Sequence, residues 1–425
     1  MRSKSRAFLL PGLLTLSAGF PLLLPTCSPG VEAGSDAVAA ESARTSSPPA
    51  DQPLAGFRTE LLELAFEAAS AMPLHPHVKN RSRAQEAVVE ACFDLDQPQR
   101  ALGYVERIEN WRRGAGYAEY AFYCAGHGSA GEVQPYLDQA LRISEETGDE
   151  NPQDWHRDRI RAKVAKTHVL LGRMDRAAEI EVALLASETG EVQAARAELA
   201  SAEEFDSQVE ALDRAVASGS FDLIRSALQA YAKLFDRFYE DHDRRSRVVE
   251  KLASAWTGLP AKIRIELTLD MASSALDHGD REQALELIGH AKSVLDASKW
   301  TAEHGIPLVA RLAELRYRAG DEATARKELA AARARFEVER DLILDIYRAG
   351  VLRPIAEAYQ AMGEAPSASK LYAQALEEGV HNPNSCPRAE DLSATCLSMA
   401  LHGFEPDAEL RARMLEIHAG LGPPW

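Results

Sequence analysis

The sequence has few aromatic residues and too little positive charge for its length. Aromatic side chains make up 7% of the 425 residues, and the formal net charge is −17. A long groove that stacks bases or sugars needs many aromatic side chains, and phosphate binding needs a basic field. The composition therefore argues against a nucleic-acid partner.

The common motifs of catalytic and metal chemistry are also missing. The sequence has no GxSxG, no GxxxxGK[ST], no HExxH and no CxxC pair. These motifs position a nucleophile, a phosphate cradle or a zinc ion. We therefore expect no enzyme activity, no cofactor and no metal. An all-helical enzyme acting on envelope polysaccharide stays open as the alternative, because a glycosidase needs only two well-placed carboxylates.

The first residues have the composition of an export signal. Three basic residues precede an apolar run over 7–24, which two prolines and two glycines interrupt. These interruptions favour a cleaved signal over a membrane-spanning helix. The tetrapeptide LPTC over 24–27 resembles a bacterial lipobox. We therefore predict a signal peptide over 1–27 with lipidation at Cys27, and a cut further along the chain is the alternative.

The next segment, 28–55, is rich in Ser, Ala, Pro and Gly and has no apolar period. Such a composition is typical of a disordered tether. Its position after a lipidated cysteine would hold the folded part away from a membrane surface.

Four cysteines follow the tether. Cys92 and Cys124 take similar positions in neighbouring helical units, which predicts small, packed apolar side chains. Cys386 and Cys396 flank a junction between a turn and a helix. Exported proteins can keep disulfides, so the sequence leaves a bridge between these two open.

A turn residue recurs along the rest of the chain, with fixed apolar positions around it. The eighth residue before it is large and apolar, the residues five and twelve after it are usually Ala, and the ninth is large. Small side chains let two antiparallel helices pack closely, and Gly ends the first of them. A single hairpin cannot bury its own apolar face, so the copies must stack. The turn residues are Asp96, Gly128, Gly172, Gly219, Gly279, Gly320 and Gly363.

This pattern resembles the tetratricopeptide repeat family over about residues 57 to 385, and most closely in the units of Gly279, Gly320 and Gly363. Successive turn residues lie 32 to 60 residues apart, whereas the family repeats every 34. The resemblance implies an all-α fold, a right-handed α-solenoid of stacked antiparallel helix pairs with irregular spacing. It also implies that the first helices line a groove for protein or peptide partners.

The spacing and composition divide the chain into further segments. We predict an N-terminal sub-array over 57–240 and a C-terminal sub-array over 261–382. The longest gap between turn residues has room for a junction helix over 241–260. Prolines break the pattern after 382, and the two helices predicted over 383–425 would cap the exposed core.

Two short basic stretches stand out in this acidic sequence. Arginine forks bind carboxylates and phosphates well, and tryptophan can stack on a ligand. The stretches therefore predict a site for an anionic ligand or a peptide carboxylate. The alternative is a solvated loop and helix start with nearby balancing acids. The candidate residues are His75, His77, Lys79, Arg81, Arg83, Trp111, Arg112 and Arg113.

Together these features predict an exported, lipid-anchored helical-repeat scaffold that binds protein or peptide partners at the cell envelope. The lipid would be its only membrane attachment, and it would lie in the periplasm or on the outer surface. A soluble secreted adaptor is the alternative if Cys27 carries no lipid.

Overall fold

The described part of the chain is built from helices. The computed structural model describes residues 48–150, 155–256 and 259–425, and these residues form nineteen α-helices and no β-strand. The predicted all-α class is confirmed. No helix within these ranges is both long and apolar enough to cross a membrane. The predicted signal, Cys27 and residues 28–47 of the tether lie outside the described residues.

The helices alternate between an inner and an outer set. The inner helices are α2 (Leu74–Asp94), α4 (Arg112–Gly126), α6 (Trp155–Leu170), α8 (Gly190–Leu199), α10 (Phe221–Arg237), α12 (Ala261–Asp277), α14 (Ala302–Arg318), α16 (Asp345–Ala361) and α18 (Ser385–His402). The outer helices are α1 (Gly56–Ala71), α3 (Pro98–Val105), α5 (Gln134–Glu150), α7 (Met174–Glu181), α9 (Phe205–Ala217), α11 (His242–Ala255), α13 (Arg281–Asp296), α15 (Glu322–Glu339), α17 (Ala365–Val380) and α19 (Ala408–Ala419).

Contacts between helices establish which set is inner. Consecutive even-numbered helices pack against one another, whereas the odd-numbered helices pack mainly on the even-numbered ones. Neighbours on the smaller circle lie closer together, so the even-numbered helices line the inside. Asp270 pairs with Arg311, and Asp277 pairs with Arg318, seven residues further along both helices. The helices α12 and α14 therefore run parallel.

The repeat positions form the contact between paired helices. In the pair α16–α17, the large residues Ile355 and Tyr372 and the small residues Ala356, Ala368 and Ala375 are all fully buried. The small side chains allow close approach, and the large ones fill the space between turns of the two helices. The stacked helix pairs predicted from the repeat are therefore present.

Parallel inner helices give the array two different edges. We call the edge where each inner helix turns into its outer partner the turn edge, at residues 94–98, 126–134, 170–174, 199–205, 237–242, 277–281, 318–322, 361–365 and 402–408. We call the edge where each outer helix leads to the next inner helix the loop edge, and its described parts lie at residues 71–74, 105–112, 181–190, 217–221, 296–302, 339–345 and 380–385.

The turn edge uses a left-handed residue followed by a helix cap. Gly320 adopts a φ of 96°, and Asp96, which takes the same place in an earlier unit, adopts a φ of 54°. Asp321 follows Gly320, and its carboxylate accepts a hydrogen bond of 3.3 Å from the backbone N–H of Thr324. Glycine ends one helix and aspartate starts the next, which explains the short turn.

The first helix pairs with the last inner helix. Arg58, near the start of α1, lies against Gly403 at the end of α18. At the opposite end of the pair, the Cys386 thiol donates to the Met72 sulfur at 3.6 Å. Hence α1 lies antiparallel to α18, in the outer position that α17 takes beside α16. The helix α19 lies over α1, α17 and α18.

The helix α18 also touches the first inner helix. Its Glu390 accepts a hydrogen bond from Asn80 at 2.9 Å and pairs with Arg83 at 2.8 Å, both on α2. Since α18 packs on α16 along its other side, the nine inner helices form a closed ring. In the described part of the chain, the stack therefore has no free end for the segment 383–425 to cap.

The hydrophobic core also joins the two ends of the described chain. One cluster of buried side chains joins residues 61–164 to residues 302–417, and a second spans 197–319. The segment 241–260 does not separate two cores, because Val248 and Leu252 of α11 belong to the second cluster. The helix α11 packs on α10 as its outer partner.

One turn residue of the sequence pattern lies on the other edge. Gly219 has a φ of 72°, as expected for a turn, but it joins outer α9 to inner α10. The turn from inner α8 to outer α9 lies earlier, at residues 199–205. The pattern around Gly219 therefore does not mark a pair of its own.

Candidate functional site

Oppositely charged side chains connect neighbouring inner helices around most of the ring. Glu86 of α2 pairs with Arg112 of α4 at 2.7 Å, and Arg353 of α16 pairs with Asp391 of α18 at 3.1 Å. Pairs across other neighbouring inner helices are Glu119–Lys163, Lys163–Glu191, Glu198–Lys233, Asp270–Arg311 and Arg83–Glu390, and between α10 and α12 the His278 ring lies 3.2 Å from the Asp236 carboxylate. We call this set the inner belt.

The most buried part of the inner belt joins α4, α6 and α8. Lys163 lies 2.6 Å from Glu119 and 3.1 Å from Glu191, and Lys166 reaches both acids as well. Burial would lower the pKa of Lys163, but the two carboxylates raise it above its ordinary value. Two acids and two bases balance here, so the group fixes the helices in place and leaves no net charge for a ligand.

One inner interface is held differently. Between α14 and α16, Glu314 faces Glu357, and His402 of α18 lies 3.7 Å from the Glu357 carboxylate. Burial raises the pKa of Glu314; His402 opposes the rise, and the negative charge of Glu357 adds to it. The Ser398 hydroxyl donates to Glu357 at 2.8 Å. A proton on Glu314 reduces the repulsion between two acids at this interface.

The basic residues predicted from the sequence lie on two faces of α2. Arg83 points to α18 and helps to close the ring through Glu390. Arg81 points to the loop edge, where it donates to the Met72 carbonyl at 3.1 Å and pairs with Glu109 at 3.3 Å. His75 and Lys79 are exposed, and His77 is half-buried. The stretch is therefore not one continuous basic surface.

At the loop edge, the second basic stretch meets a group of aromatic side chains. The rings of Trp111 and His156 stack with centroids 4.7 Å apart, and Trp155 lies 3.7 Å from His156. Arg112 covers the Trp111 ring at 4.5 Å, and Arg159 covers the Trp155 ring at 5.4 Å. We call these five residues together with Lys79 the cationic aromatic cluster.

The positive charges of the cluster act on its histidine. Burial lowers the pKa of His156, and Arg112, Arg159 and Lys79 lower it further. The imidazole is therefore neutral at pH 7 and serves as a flat stacking surface. Trp155 and His156 are only half-buried. Arg112 is buried and pairs with Glu86, and Arg159 pairs with Glu188 at 3.1 Å, so Lys79 is the exposed cation beside the rings. The arrangement therefore offers the faces of Trp155 and His156 next to an exposed lysine, which suits the carboxylate and apolar side chains of an acidic peptide.

The structure joins Lys79, Trp111 and Arg112 of the predicted site, and leaves Arg113 half-buried at its border. Sequence reasoning missed Trp155, His156 and Arg159. A signal for them exists, because Trp111 and Trp155 each lie 17 residues before a turn residue, Gly128 and Gly172. Equivalent positions of stacked units become neighbours in space.

The four described cysteines are free thiols, and all are buried. Cys386 and Cys396 both lie on α18. Ten residues of helix separate them by about 15 Å, whereas a disulfide needs Cα atoms within about 7 Å. The bridge that the sequence left open is therefore not formed. Burial raises the pKa of Cys396 to about 12, so this thiol is unreactive at neutral pH.

Comparisons with other proteins add little to this description. No protein-family model matches the chain, and no curated protein matches it. One solved structure that resembles it is described as a "Circular tandem repeat protein with novel repeat topology and enhanced subunit contact surfaces". The two are 14% identical, with 85% of this chain and 94% of the other covered, at a TM-score of 0.26.

Proposed function

We propose that this protein is an exported, lipid-anchored scaffold that binds protein or peptide partners at the cell envelope. The helical-repeat fold supports a scaffold, because stacked pairs present a large, stable surface. The signal peptide predicted over 1–27 and the lipobox-like sequence before Cys27 support the location.

The cationic aromatic cluster carries the proposal for binding. It places two tryptophans, a neutral histidine and two stacked arginines at one edge of the ring. Side chains of this kind supply most of the binding energy at protein interfaces, where flat rings lose little entropy on binding. The exposed Lys79 beside the rings favours an acidic segment of the partner. The ligand class is therefore an acidic peptide with apolar residues.

Two synthetic peptides test this proposal. They have the same apolar residues, and one carries four Glu residues where the other carries four Lys residues. We expect the acidic peptide alone to bind in fluorescence anisotropy, with an affinity that falls as salt screens the charges. Trp155→Ala should weaken binding roughly tenfold, because a stacking surface for the peptide is lost.

The chain offers a matched control for that variant. Trp256 stacks on His290 with centroids 4.9 Å apart, so the same ring pair exists away from the cluster. Trp256→Ala should leave acidic-peptide binding unchanged. Equal binding of the two peptides, or equal loss in the two variants, would remove the cluster as the binding site.

The lipid anchor needs a separate test. The mass of the mature N-terminal peptide from the native cell should correspond to a chain that begins at a lipid-modified Cys27. Cys27→Ser should release the protein from the membrane fraction. A mature chain that starts further along, without lipid, would instead favour the soluble secreted adaptor.

A further inference from the structure

A second feature of the loop edge is a group of exposed apolar side chains. The connection from α15 to α16 exposes several large apolar side chains within ten residues. Val338 is 84% exposed, Leu342 81% and Leu344 64%, and Ile346 and Tyr347 are each nearly half exposed. We call residues 338–347 the apolar loop. Single exposed apolar residues are ordinary, but a contiguous group marks a contact surface.

The apolar loop is held in a fixed conformation. Ile343 in its middle is 1% exposed and anchors it to the core. Arg348 donates to the backbone carbonyls of Arg340 and Ile343 at 3.1 and 2.9 Å, and Arg340 donates to Glu378 at 2.9 Å. The exposed side chains are therefore displayed by a rigid frame, which lowers the entropy lost when they bind.

Solvent-facing charge around the apolar loop is acidic. Arg340 pairs with both Glu378 and Asp341, and Arg348 donates to backbone carbonyls, whereas the Asp341 side chain is 90% exposed and Glu337 is exposed as well. Residues 337–348 hold four carboxylates and two arginines, so an acidic excess remains. An acidic rim disfavours an anionic lipid surface. It favours a protein surface that offers both cations and apolar rings.

The cationic aromatic cluster is such a surface, and it lies on the same edge of the ring. Ile346 lies 17 residues before Gly363, the same offset that Trp111 and Trp155 have from their turn residues. The cluster and the apolar loop therefore lie at the same height along the ring axis. A two-fold axis perpendicular to the ring axis brings the loop of each copy onto the cluster of the other, so the contact forms twice.

The chain enters the folded part at the opposite edge. Gln52 donates its backbone N–H to the Asp96 carbonyl at 2.9 Å, and Asp51 accepts from the backbone N–H of Gln99 at 2.7 Å. Both contacts lie on the turn edge. Residues 49–52 therefore leave the loop edges free for two rings to meet.

We infer that the partner of the cationic aromatic cluster is the apolar loop of a second copy of this chain. This inference rests on the proposal that the cluster binds acidic, apolar protein segments. It gives a two-fold symmetric dimer in which two rings face each other through their loop edges, with both turn edges pointing outward.

Sedimentation velocity of the purified protein over a concentration series tests the dimer. We expect dimers that weaken between about 0.05 and about 0.5 M salt, since the contact is partly ionic. Replacing Leu342 and Leu344 by Asp together should raise the dissociation constant at least roughly tenfold. Met174→Asp is the matched control, because Met174 is 42% exposed but lies on the turn edge. It should leave the dimer intact.

Mixing two defective variants provides a check that a folding defect cannot imitate. The loop variant keeps its cluster, and Trp155→Ala keeps its loop. A mixed pair retains one intact contact, so the two variants should associate with each other more tightly than either does with itself. A free peptide of residues 336–348 should bind the protein and dissociate the dimer.

Several outcomes would overturn the inference. These are a monomer at every concentration, a dimer that neither variant weakens, or binding to lipid vesicles that the loop variant abolishes. If the protein is monomeric but still binds the acidic peptide through Trp155, the self-association fails and the proposed function stands. If the protein is monomeric and the peptide does not bind, both fail.

Discussion

The two edges of the ring are built from the same helices but differ in how they are constructed. The turn edge is made of short connections in which a residue of positive φ recurs. The loop edge has connections of varied length. Four tryptophans lie along it, Trp111, Trp155, Trp256 and Trp300, and the fifth, Trp425, packs there against Met72 and Cys386. The regular turns belong to the repeat that determines the fold, whereas the variable connections can hold residues that bind a partner.

The largest loss of stability should come from a substitution in α1, which packs on α18 where the two ends of the chain meet. Leu62 of α1 is fully buried in the cluster that joins the two ends of the chain. We expect Leu62→Ala to lower the free energy of unfolding by about 2–5 kcal/mol, because a cavity remains in the core. Urea denaturation measures this loss. A loss below about 1 kcal/mol would show that α1 is dispensable for the ring.

The next effect compares two glycines and isolates the turn edge. Gly363 has a φ of 76°, whereas Gly289 lies inside α13 with open space beside it. We expect Gly363→Ala to destabilise the protein by about 1–2 kcal/mol, because an L side chain is strained there. Gly289→Ala should stabilise it by up to about 1 kcal/mol. Thermal unfolding of both variants measures these changes. Unfolding temperatures that shift in the same direction for the two variants would contradict this account.

A smaller pair of changes compares the edges directly. Asp321→Ala removes the cap of α15 on the turn edge, and we expect it to cost about 1 kcal/mol of stability. Leu342→Ser on the loop edge should change stability by less than about 0.5 kcal/mol, since the side chain is exposed. If the loop-edge variant proved the less stable of the two, the apolar loop would belong to the fold and not to recognition.

The smallest effect concerns pH and the interface between α14 and α16, where Glu314 faces Glu357. A carboxyl group whose pKa is raised by folding stabilises the protein at or below its ordinary pKa of 4.5, and this contribution is lost as pH rises through the raised value. Glu314→Gln should therefore reduce the fall in stability as pH rises above the ordinary pKa of 4.5. Urea midpoints at a series of pH values measure this slope.

Glu377 is the control of opposite sign for that measurement. A hydrogen bond from Arg413 lowers the pKa of Glu377, so its contribution is present above the ordinary value and is lost as pH falls. Glu377→Gln should flatten the acid side of the stability profile and leave the alkaline side unchanged. A flattened alkaline side in this variant would show that the slope does not come from Glu314.

The paired helices were predictable because their signal is local. Ala325, Leu329 and Ala332 follow Gly320 at the offsets that the packing of two helices requires, and all three are buried. The closure of the ring was not predictable, since Asn80 and Glu390 meet across most of the chain. No period in the sequence records a contact of that kind.

The candidate site was only partly predictable, for a related reason. Trp111 and Arg112 are adjacent in a basic and aromatic motif of the sequence. His156 contacts Trp111 only because α6 packs beside α4. The cysteines show the reverse case. Cys386 and Cys396 were close in sequence, but a single continuous helix keeps their thiols apart.

The closure by α1 has a consequence for how such a protein can change in size. An open array can lengthen by duplication of one unit, because the new unit simply adds to an end. Here each of the nine units spans about 40° of a full circle. A tenth unit would require every interface to change its angle at once, so the number of units is fixed by the circle and variation is confined to the connections between helices.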